Sequence, residues 1–198
     1  MTTYMIAAID VHDVEKYETY KTQAPPLIEK HDGRYIVRGG DCDVVEGTWP
    51  AGRVVVLEFP DWGSANAFVD DPDYAPIAAI RHATTTSHIW LVEGPSDGLN
   101  ADEKHGYLIA NIFMTDADKY APYAAQVPDA LAPFNGSYLA RGGRTRSVEG
   151  DMNLDRLVIV AFAETAQAYE FHTSDNYVPL IKIRQSASDS NVIIVAGL

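Results

Sequence analysis

Residues 34–47 read Arg-Tyr-Ile-Val-Arg-Gly-Gly-Asp-Cys-Asp-Val-Val-Glu-Gly, and residues 137–150 read Ser-Tyr-Leu-Ala-Arg-Gly-Gly-Arg-Thr-Arg-Ser-Val-Glu-Gly. Both segments carry Arg-Gly-Gly and Val-Glu-Gly at the same spacing. The same offset of 103 residues aligns residues 4–94 with residues 107–197 without a gap, and about 30 of the 91 aligned pairs are identical. A constant offset over this length predicts two copies of one structural unit.

Each copy contains the same order of predicted elements. In the first copy these are a strand at residues 4–11, a helix at 13–31, strands at 34–38 and 53–59, a second helix at 61–70 and 72–84 that is interrupted near Pro72, and a strand at 87–93. Asp13 is placed to cap the first helix, which Pro25-Pro26 should break or kink. Residues 43–46 are expected to extend the strand at 34–38. The order βαββαβ is typical of a ferredoxin-like unit, an antiparallel sheet with helices on one face.

One face of each predicted sheet lies under helices and the other is open. The odd-numbered positions of the strand at 4–11 are all apolar and should face the helices, whereas the even-numbered positions are mixed and should face the open side. Two such units bury their open faces by packing sheet to sheet. We therefore predict the α+β class, with a first repeat at residues 1–94, a linker at 95–103 and a second repeat at 104–198.

Several short motifs together resemble one known family. They are Arg-Gly-Gly, Val-Glu-Gly, the strand at 53–59 followed by Asn-Ala-Phe at 66–68, Asp-Tyr at 73–74 and Val-Glu-Gly at 92–94. This pattern resembles the domain of unknown function 1330 family of the dimeric α/β-barrel superfamily. The resemblance implies that two ferredoxin-like repeats form, within one chain, the barrel that single-domain relatives form by dimerising. It implies no reaction, since the superfamily includes cofactor-independent monooxygenases, cyclases, isomerases and haem enzymes.

Composition limits the partners and the compartment. The chain of 198 residues has 28 Asp and Glu against 15 Lys and Arg, a formal net charge of −13. Such an acidic protein repels nucleic acids and anionic membranes, so we expect neither as a partner. The single cysteine, Cys42, excludes an internal disulfide and is typical of a reducing compartment. No basic signal region and no apolar run of about 20 residues is present, so we expect a cytoplasmic protein.

Differences between the repeats indicate a candidate site on the open face. With the first strand taken as parallel to the strand at 53–59, Asp10, His12, Glu58 and His88 should meet at one end of the sheet. The matching positions of the second repeat are nearly apolar, namely Phe113, Thr115, Ala161 and Asn191. A carboxylate beside an imidazole has the perturbed pKa that a general base needs near neutral pH.

The predicted catalytic residues are therefore His88, Glu58 and Asp10. Glu58 or Asp10 would orient His88 for proton transfer. The predicted substrate-binding residues are Trp90, which would pack on a flat substrate, together with His12, Arg38 and Tyr4. Alternatively, these groups only hydrogen-bond one another at a wet barrel mouth. A zinc or iron site, or haem on His88, has no supporting spacing, so we assign no metal and no cofactor.

Charged residues that recur in both repeats favour a structural interpretation. The recurring pairs are Arg38 and Arg141, Arg81 and Arg184, and Glu46 and Glu149. An arginine fork suits a carboxylate ligand, but an ion pair such as arginine with Glu46 is the favoured interpretation.

Three functions stay open at this point. The first is a cofactor-independent enzyme of isomerase, cyclase or monooxygenase type that acts through the first-repeat cluster on a small molecule. The second is a non-catalytic metabolite-binding or accessory protein, and the third is a structural assembly module. The chain is expected to be a monomer or a homodimer, because pairing of the repeats already covers the open sheet faces.

Overall fold

The computed structural model of the chain describes residues 1–96 and 101–198, so part of the predicted linker at 95–103 lies outside the described residues. The first repeat contains β1 (Thr3–Val11), α1 (Val14–Lys30), β2 (Arg34–Arg38), β3 (Cys42–Glu46), β4 (Arg53–Phe59), α2 (Trp62–Val69), α3 (Ala75–Thr84) and β5 (Thr85–Glu93). The second contains β6 (Gly106–Met114), α4 (Ala117–Leu131), a 3₁₀ turn (Ala132–Phe134), β7 (Ser137–Arg141), β8 (Thr145–Glu149), β9 (Arg156–Phe162), α5 (Thr165–Thr173), α6 (Val178–Gln185) and β10 (Ser188–Ala196).

The strands form two antiparallel sheets of five strands, ordered β2-β4-β1-β5-β8 and β3-β10-β6-β9-β7. Each sheet holds four strands of one repeat and one short strand of the other. The expectation that residues 43–46 extend β2 is therefore wrong, because these residues form β3 and pair with β10 of the second repeat. In return β8 pairs with β5 of the first repeat.

The Gly-Gly pairs explain how the short strands cross between sheets. Gly39 and Gly142 adopt φ of +76° and +72°, a left-handed conformation that favours glycine. A Cβ atom on Gly40 would lie 2.7 Å from the Ala196 carbonyl oxygen, so the crossing chain passes against the last strand of the other repeat. A side chain at either glycine would hold this segment away from the neighbouring sheet.

Alternation along β1 separates two layers of the core. Tyr4, Ile6 and Ala8 lie in the interior between the two sheets, whereas Met5 and Ile9 pack under the helices of the first repeat. The second repeat has the same division. The predicted fold, two ferredoxin-like repeats packed sheet to sheet as an intrachain dimeric α/β barrel, is confirmed.

The first helix of each repeat starts as predicted but does not stop at proline. The Asp13 side chain accepts a hydrogen bond from the Lys16 backbone N–H, and Asp116 caps α4 in the same way. The helix α1 continues through Pro25 and Pro26, so the predicted break is wrong. Contacts of the helix with the sheet outweigh the missing N–H donors.

Candidate functional site

The predicted cluster of Asp10, Glu58 and His88 does not form. The strand β1 runs antiparallel to β4, so Glu58 lies opposite Tyr4, while His88 lies opposite Ala8 and Asp10 lies near the far end of β1. At roughly 3.3 Å per residue, Glu58 and His88 are about 13 Å apart along the strand direction. The assumption of a parallel pair was wrong, and with it the expected meeting of the carboxylates and His88.

Glu58 is buried at the Tyr4 end of the sheet and forms an ion pair with the half-exposed Arg34. Its Oε1 accepts hydrogen bonds from Arg34 Nε at 2.9 Å and lies 2.7 Å from Arg34 Nη2, and its Oε2 accepts the Ala101 backbone N–H at 2.9 Å. Burial, followed by the Glu58 charge, raises the pKa of Tyr4. Because both Glu58 oxygens are engaged, this carboxylate holds the end of the segment that connects the two repeats against the first sheet.

His88 has a structural counterpart in the second repeat. Its Nδ1 lies 3.4 Å from the backbone N of Met152, in the loop after β8. Asn191, at the matching position, accepts the Thr48 backbone N–H at 2.9 Å in the loop after β3. Both residues therefore hold the loop that follows an exchanged strand, and an imidazole and an amide perform the same task.

The remaining residues of the predicted cluster are either fully buried or at the surface. Trp90 is 0% exposed and packs against Trp49 and His88, with ring centroids 6.0 and 6.1 Å away. Asp10 and His12 lie at the surface, where His12 Nε2 bonds to the Thr86 hydroxyl at 2.7 Å. Asp10 and His12 thus lie far from Glu58, which is opposite Tyr4 on the first strand.

A cavity instead lies on the other face of the first sheet, beneath α1 and α3. Its apolar floor consists of side chains of β1, β4 and β5, and its polar lining consists of Tyr17, Tyr20, Lys21, Tyr35, Arg38, Arg53 and Arg81. Its volume is about 30 Å³, enough for about two water molecules. A larger ligand would have to displace side chains, and the exposed Arg38 and partly exposed Lys21 are placed to move.

Two cations of this lining, Arg38 and Arg53, have no carboxylate partner in residues 1–96 and 101–198. Arg53 Nη2 donates to the Arg38 carbonyl at 3.3 Å, and Arg53 Nε is buried without a hydrogen-bond partner in the described structure. A Cβ atom on Gly39 would overlap the Arg53 guanidinium. The Arg-Gly-Gly motif thus contributes an arginine without a carboxylate partner and the carbonyl that accepts from Arg53. Its first glycine leaves the space that the Arg53 guanidinium occupies.

Two tyrosines of the cavity, Tyr20 and Tyr35, are neutral hydrogen-bonding groups. Tyr20 Oη lies 3.2 Å from Tyr74 Oη. Burial, with a smaller contribution from Tyr74, raises the pKa of Tyr20 well above its usual range, and burial raises the pKa of Tyr35 to about 12 although Arg38 opposes it. These phenols therefore keep their protons at neutral pH and present O–H donors.

Arg81, the third arginine of the lining, is paired across the repeats. Its two Nη atoms donate to the two carboxylate oxygens of Glu149 at 2.8 Å each, and Arg184 forms the same fork with Glu46 at 3.0 and 2.7 Å. The ion pair favoured from the sequence is present. It connects an α3 or α6 arginine to the exchanged strand of the other repeat.

The tyrosines and arginines of the cavity recur in the second repeat. The second repeat places Tyr120, Tyr123, Tyr138, Arg141, Arg156 and Arg184 around matching cavities beneath α4 and α6. Of the predicted substrate-binding residues, only Arg38 lies in the first cavity. One sequence signal could have located this cavity: tyrosines and arginines recur together in both repeats, at positions whose side chains lie between the sheet and the helices.

Two further properties concern only the described part of the chain. No group of three His, Cys, Asp or Glu side chains there is arranged to hold a metal ion. No described helix is both long and apolar enough to cross a bilayer.

Solved structures with a similar fold have low sequence identity to this chain. An anthrone oxidase-like protein is 10% identical, with 100% of this chain and 91% of that chain covered and a TM-score of 0.53. A heme-binding protein from Thermus thermophilus is 9% identical, with 100% and 91% covered and a TM-score of 0.52. RPA0582 from Rhodopseudomonas palustris, a protein of unknown function, is 20% identical over 48% of this chain and 84% of its own, with a TM-score of 0.42.

No curated protein matches the chain. The family described as domain of unknown function (DUF1330) matches residues 2–95 and again residues 105–198. Together the two matches cover almost the whole sequence, and the fold is that of a dimeric α/β barrel. The chain therefore belongs to the DUF1330 family, as a tandem repeat of its domain.

Proposed function

We propose that the chain binds a small organic anion in the cavity beneath α1. The observation that carries the proposal is the unpaired charge of Arg38 and Arg53 in that lining. The protein has 28 acidic residues against 15 basic ones, yet these two neighbouring arginines have no carboxylate partner in the described part of the chain. An anionic ligand would supply the missing charge, and an arginine fork suits a carboxylate.

The rest of the lining defines the shape of the ligand. The cavity floor is apolar, with Met5, Ile9 and Ile89 among its residues, and protonated Tyr20 stands beside it. A carboxylate on a compact flat body would place its charge at the arginines and its body on the floor. Small-molecule binding by this fold also agrees with the names of the heme-binding and anthrone oxidase-like structures.

Binding is favoured over acid–base catalysis in this cavity. Its described lining contains no carboxylate and no imidazole, and the raised pKa of Tyr20 and of Tyr35 makes these phenols poor bases at neutral pH. The cofactor-independent enzyme predicted from His88, Glu58 and Asp10 lacks this support, because the strand direction separates Glu58 from His88 and Asp10. The metabolite-binding alternative is the one that this geometry supports.

Isothermal titration calorimetry with benzoate and its neutral analogue benzamide tests the proposal. Benzoate should bind and benzamide should not. Arg53→Gln should weaken benzoate binding by about tenfold or more, the value of a charge-assisted hydrogen bond, and the exposed Arg38→Gln should act in the same direction. Arg144→Gln is the matched control, because Arg144 lies over the Trp62 ring, away from the cavity.

Two outcomes would overturn the proposal. One is equal affinity for benzoate and benzamide, which would mean that charge plays no part. The other is equal benzoate affinity in Arg38→Gln and Arg144→Gln. The Arg38 variant keeps the test valid if Arg53→Gln does not fold, since the Arg38 side chain is exposed.

A further inference from the structure

The second repeat also has two cavity arginines without a carboxylate partner in the described residues. Arg141 and Arg156 have no carboxylate partner in the described part of the chain, and Arg156 Nε is buried without a hydrogen-bond partner there. Arg156 Nη2 donates to the Arg141 carbonyl at 3.0 Å, as Arg53 does to Arg38. The same chemistry that favours an anion in the first cavity is therefore present twice.

The two cavities differ in what their exposed arginine does. Arg141 Nη2 donates to the Ala124 carbonyl of α4 at 2.7 Å. This carbonyl is available because Pro128, four residues later, has no N–H to bond to it. In the first repeat Pro25 leaves the Lys21 carbonyl available in the same way. Both arginines lie over a tyrosine ring, Arg38 at 4.5 Å from the Tyr35 centroid and Arg141 at 4.7 Å from the Tyr138 centroid, but Arg38 makes no hydrogen bond to α1 in the described structure.

One aligned position accounts for this difference. Residue 21 is lysine and residue 124 is alanine, and both line their cavities. The Lys21 side chain lines the first cavity together with Arg38, and its ammonium is paired with Glu18 at 2.7 Å. A lysine side chain is larger than a methyl group, so Arg38 has less room than Arg141 to approach the helix. Ala124 presents only a methyl group, and Arg141 closes onto the helix.

We infer that the second cavity is a second site for the same class of small organic anion, and that the Arg141–Ala124 hydrogen bond makes it the weaker of two. This inference rests on the proposed function of the first cavity. Binding in the second repeat requires Arg141 to leave the Ala124 carbonyl, whereas Arg38 has no such hydrogen bond to break. The loss of one hydrogen bond corresponds to an affinity about fivefold lower.

Calorimetry with benzoate separates the two sites through matched variants of the whole chain. The unmodified protein should bind two molecules with unequal affinity. Arg38→Gln should remove the tighter phase, and Arg141→Gln should remove the weaker phase. The double variant Lys21→Ala with Ala124→Lys should reverse the order, so that Arg141→Gln in that background removes the tighter phase.

Each outcome decides one of the two proposals. A single site that is lost in Arg38→Gln and unchanged in Arg141→Gln overturns the second site and leaves the proposed function standing. Two sites whose order does not respond to exchange of Lys21 and Ala124 overturn the role of the hydrogen bond. Absence of benzoate binding in every variant, while circular dichroism shows folded protein, overturns the proposed function itself and the inference with it.

Discussion

Glu46→Gln should destabilise the whole chain strongly, although the residue lies on a short edge strand. Glu46 on β3 holds both Nη atoms of Arg184, whose side chain is 1% exposed. Burial alone would lower the pKa of Arg184, but Glu46 and nearby tyrosines outweigh burial and raise it. The substitution leaves a buried guanidinium without a counter-charge.

The magnitude follows from the burial of both partners. Removal of one partner of a buried ion pair costs about 3–5 kcal/mol, and the 16% exposure of the Glu46 side chain favours the lower end, about 3 kcal/mol. For a chain of this length that corresponds to a decrease of roughly 6–12 °C in Tm. The loss should appear in one transition, because β3 belongs to the sheet of the second repeat.

Urea unfolding followed by circular dichroism measures the effect. Lys119→Gln is the matched control: it removes an exposed pair with Asp116 and should change the free energy of unfolding by less than about 1 kcal/mol. The double variant Arg184→Met with Glu46→Leu should recover most of the loss, since no charge stays buried. If Glu46→Gln costs no more than Lys119→Gln, the reasoning from cross-repeat pairing is wrong.

Three further predictions concern other parts of the fold. Hydrogen bonds from Lys30 and His31 hold the pKa of Asp71 below its ordinary value. The ionised Asp71 carboxylate therefore stabilises the folded protein fully above the unfolded pKa of about 4, and this contribution is lost as the pH falls through the folded pKa. Asp71→Asn should flatten the acid branch of the stability–pH curve measured by thermal unfolding, and an unchanged slope would contradict this. Gly39→Ala should lower the free energy of unfolding by about 1–2 kcal/mol, because φ at Gly39 is +76° and the Arg53 guanidinium occupies the space of a Cβ atom. Urea unfolding measures the loss, with Gly52→Ala as the control, since a Cβ atom at Gly52 meets open space. Equal losses in the two variants would refute the prediction. His88→Asn should change Tm little and leave benzoate binding intact, since Asn191 performs the same task in the second repeat; loss of binding would restore His88 as a site residue.

Much of the fold could be predicted from local patterns. Period-2 alternation in residues 4–11 separates the helix-facing positions from the interior ones, and the same pattern recurs 103 residues later. The exchange of β3 and β8 could not be predicted. A five-residue strand such as Cys42–Glu46 fits any sheet edge, and its choice depends on Gly40 passing against Ala196 and on Glu46 meeting Arg184, contacts between residues far apart in the chain.

The candidate site shows the same division. Differences between the repeats indicated Glu58 and His88 as site residues. The antiparallel strand direction separates them in space, and each forms a hydrogen bond with a different part of the chain. The cavity uses shared residues such as Arg38 and Arg53, and shared residues serve packing as often as binding, so recurrence alone does not distinguish the two.

The sequence by itself determined that one α+β unit occurs twice, which face of each strand is buried, and that the chain is acidic. The tertiary structure alone decided which sheet each short strand joins and which charges stay unpaired. The physical reason is that the alternation of apolar and polar residues, which predicts the buried face of a strand, can be recognised within a few neighbouring residues. The partner of a charged group such as Arg53 depends on every element that packs around it.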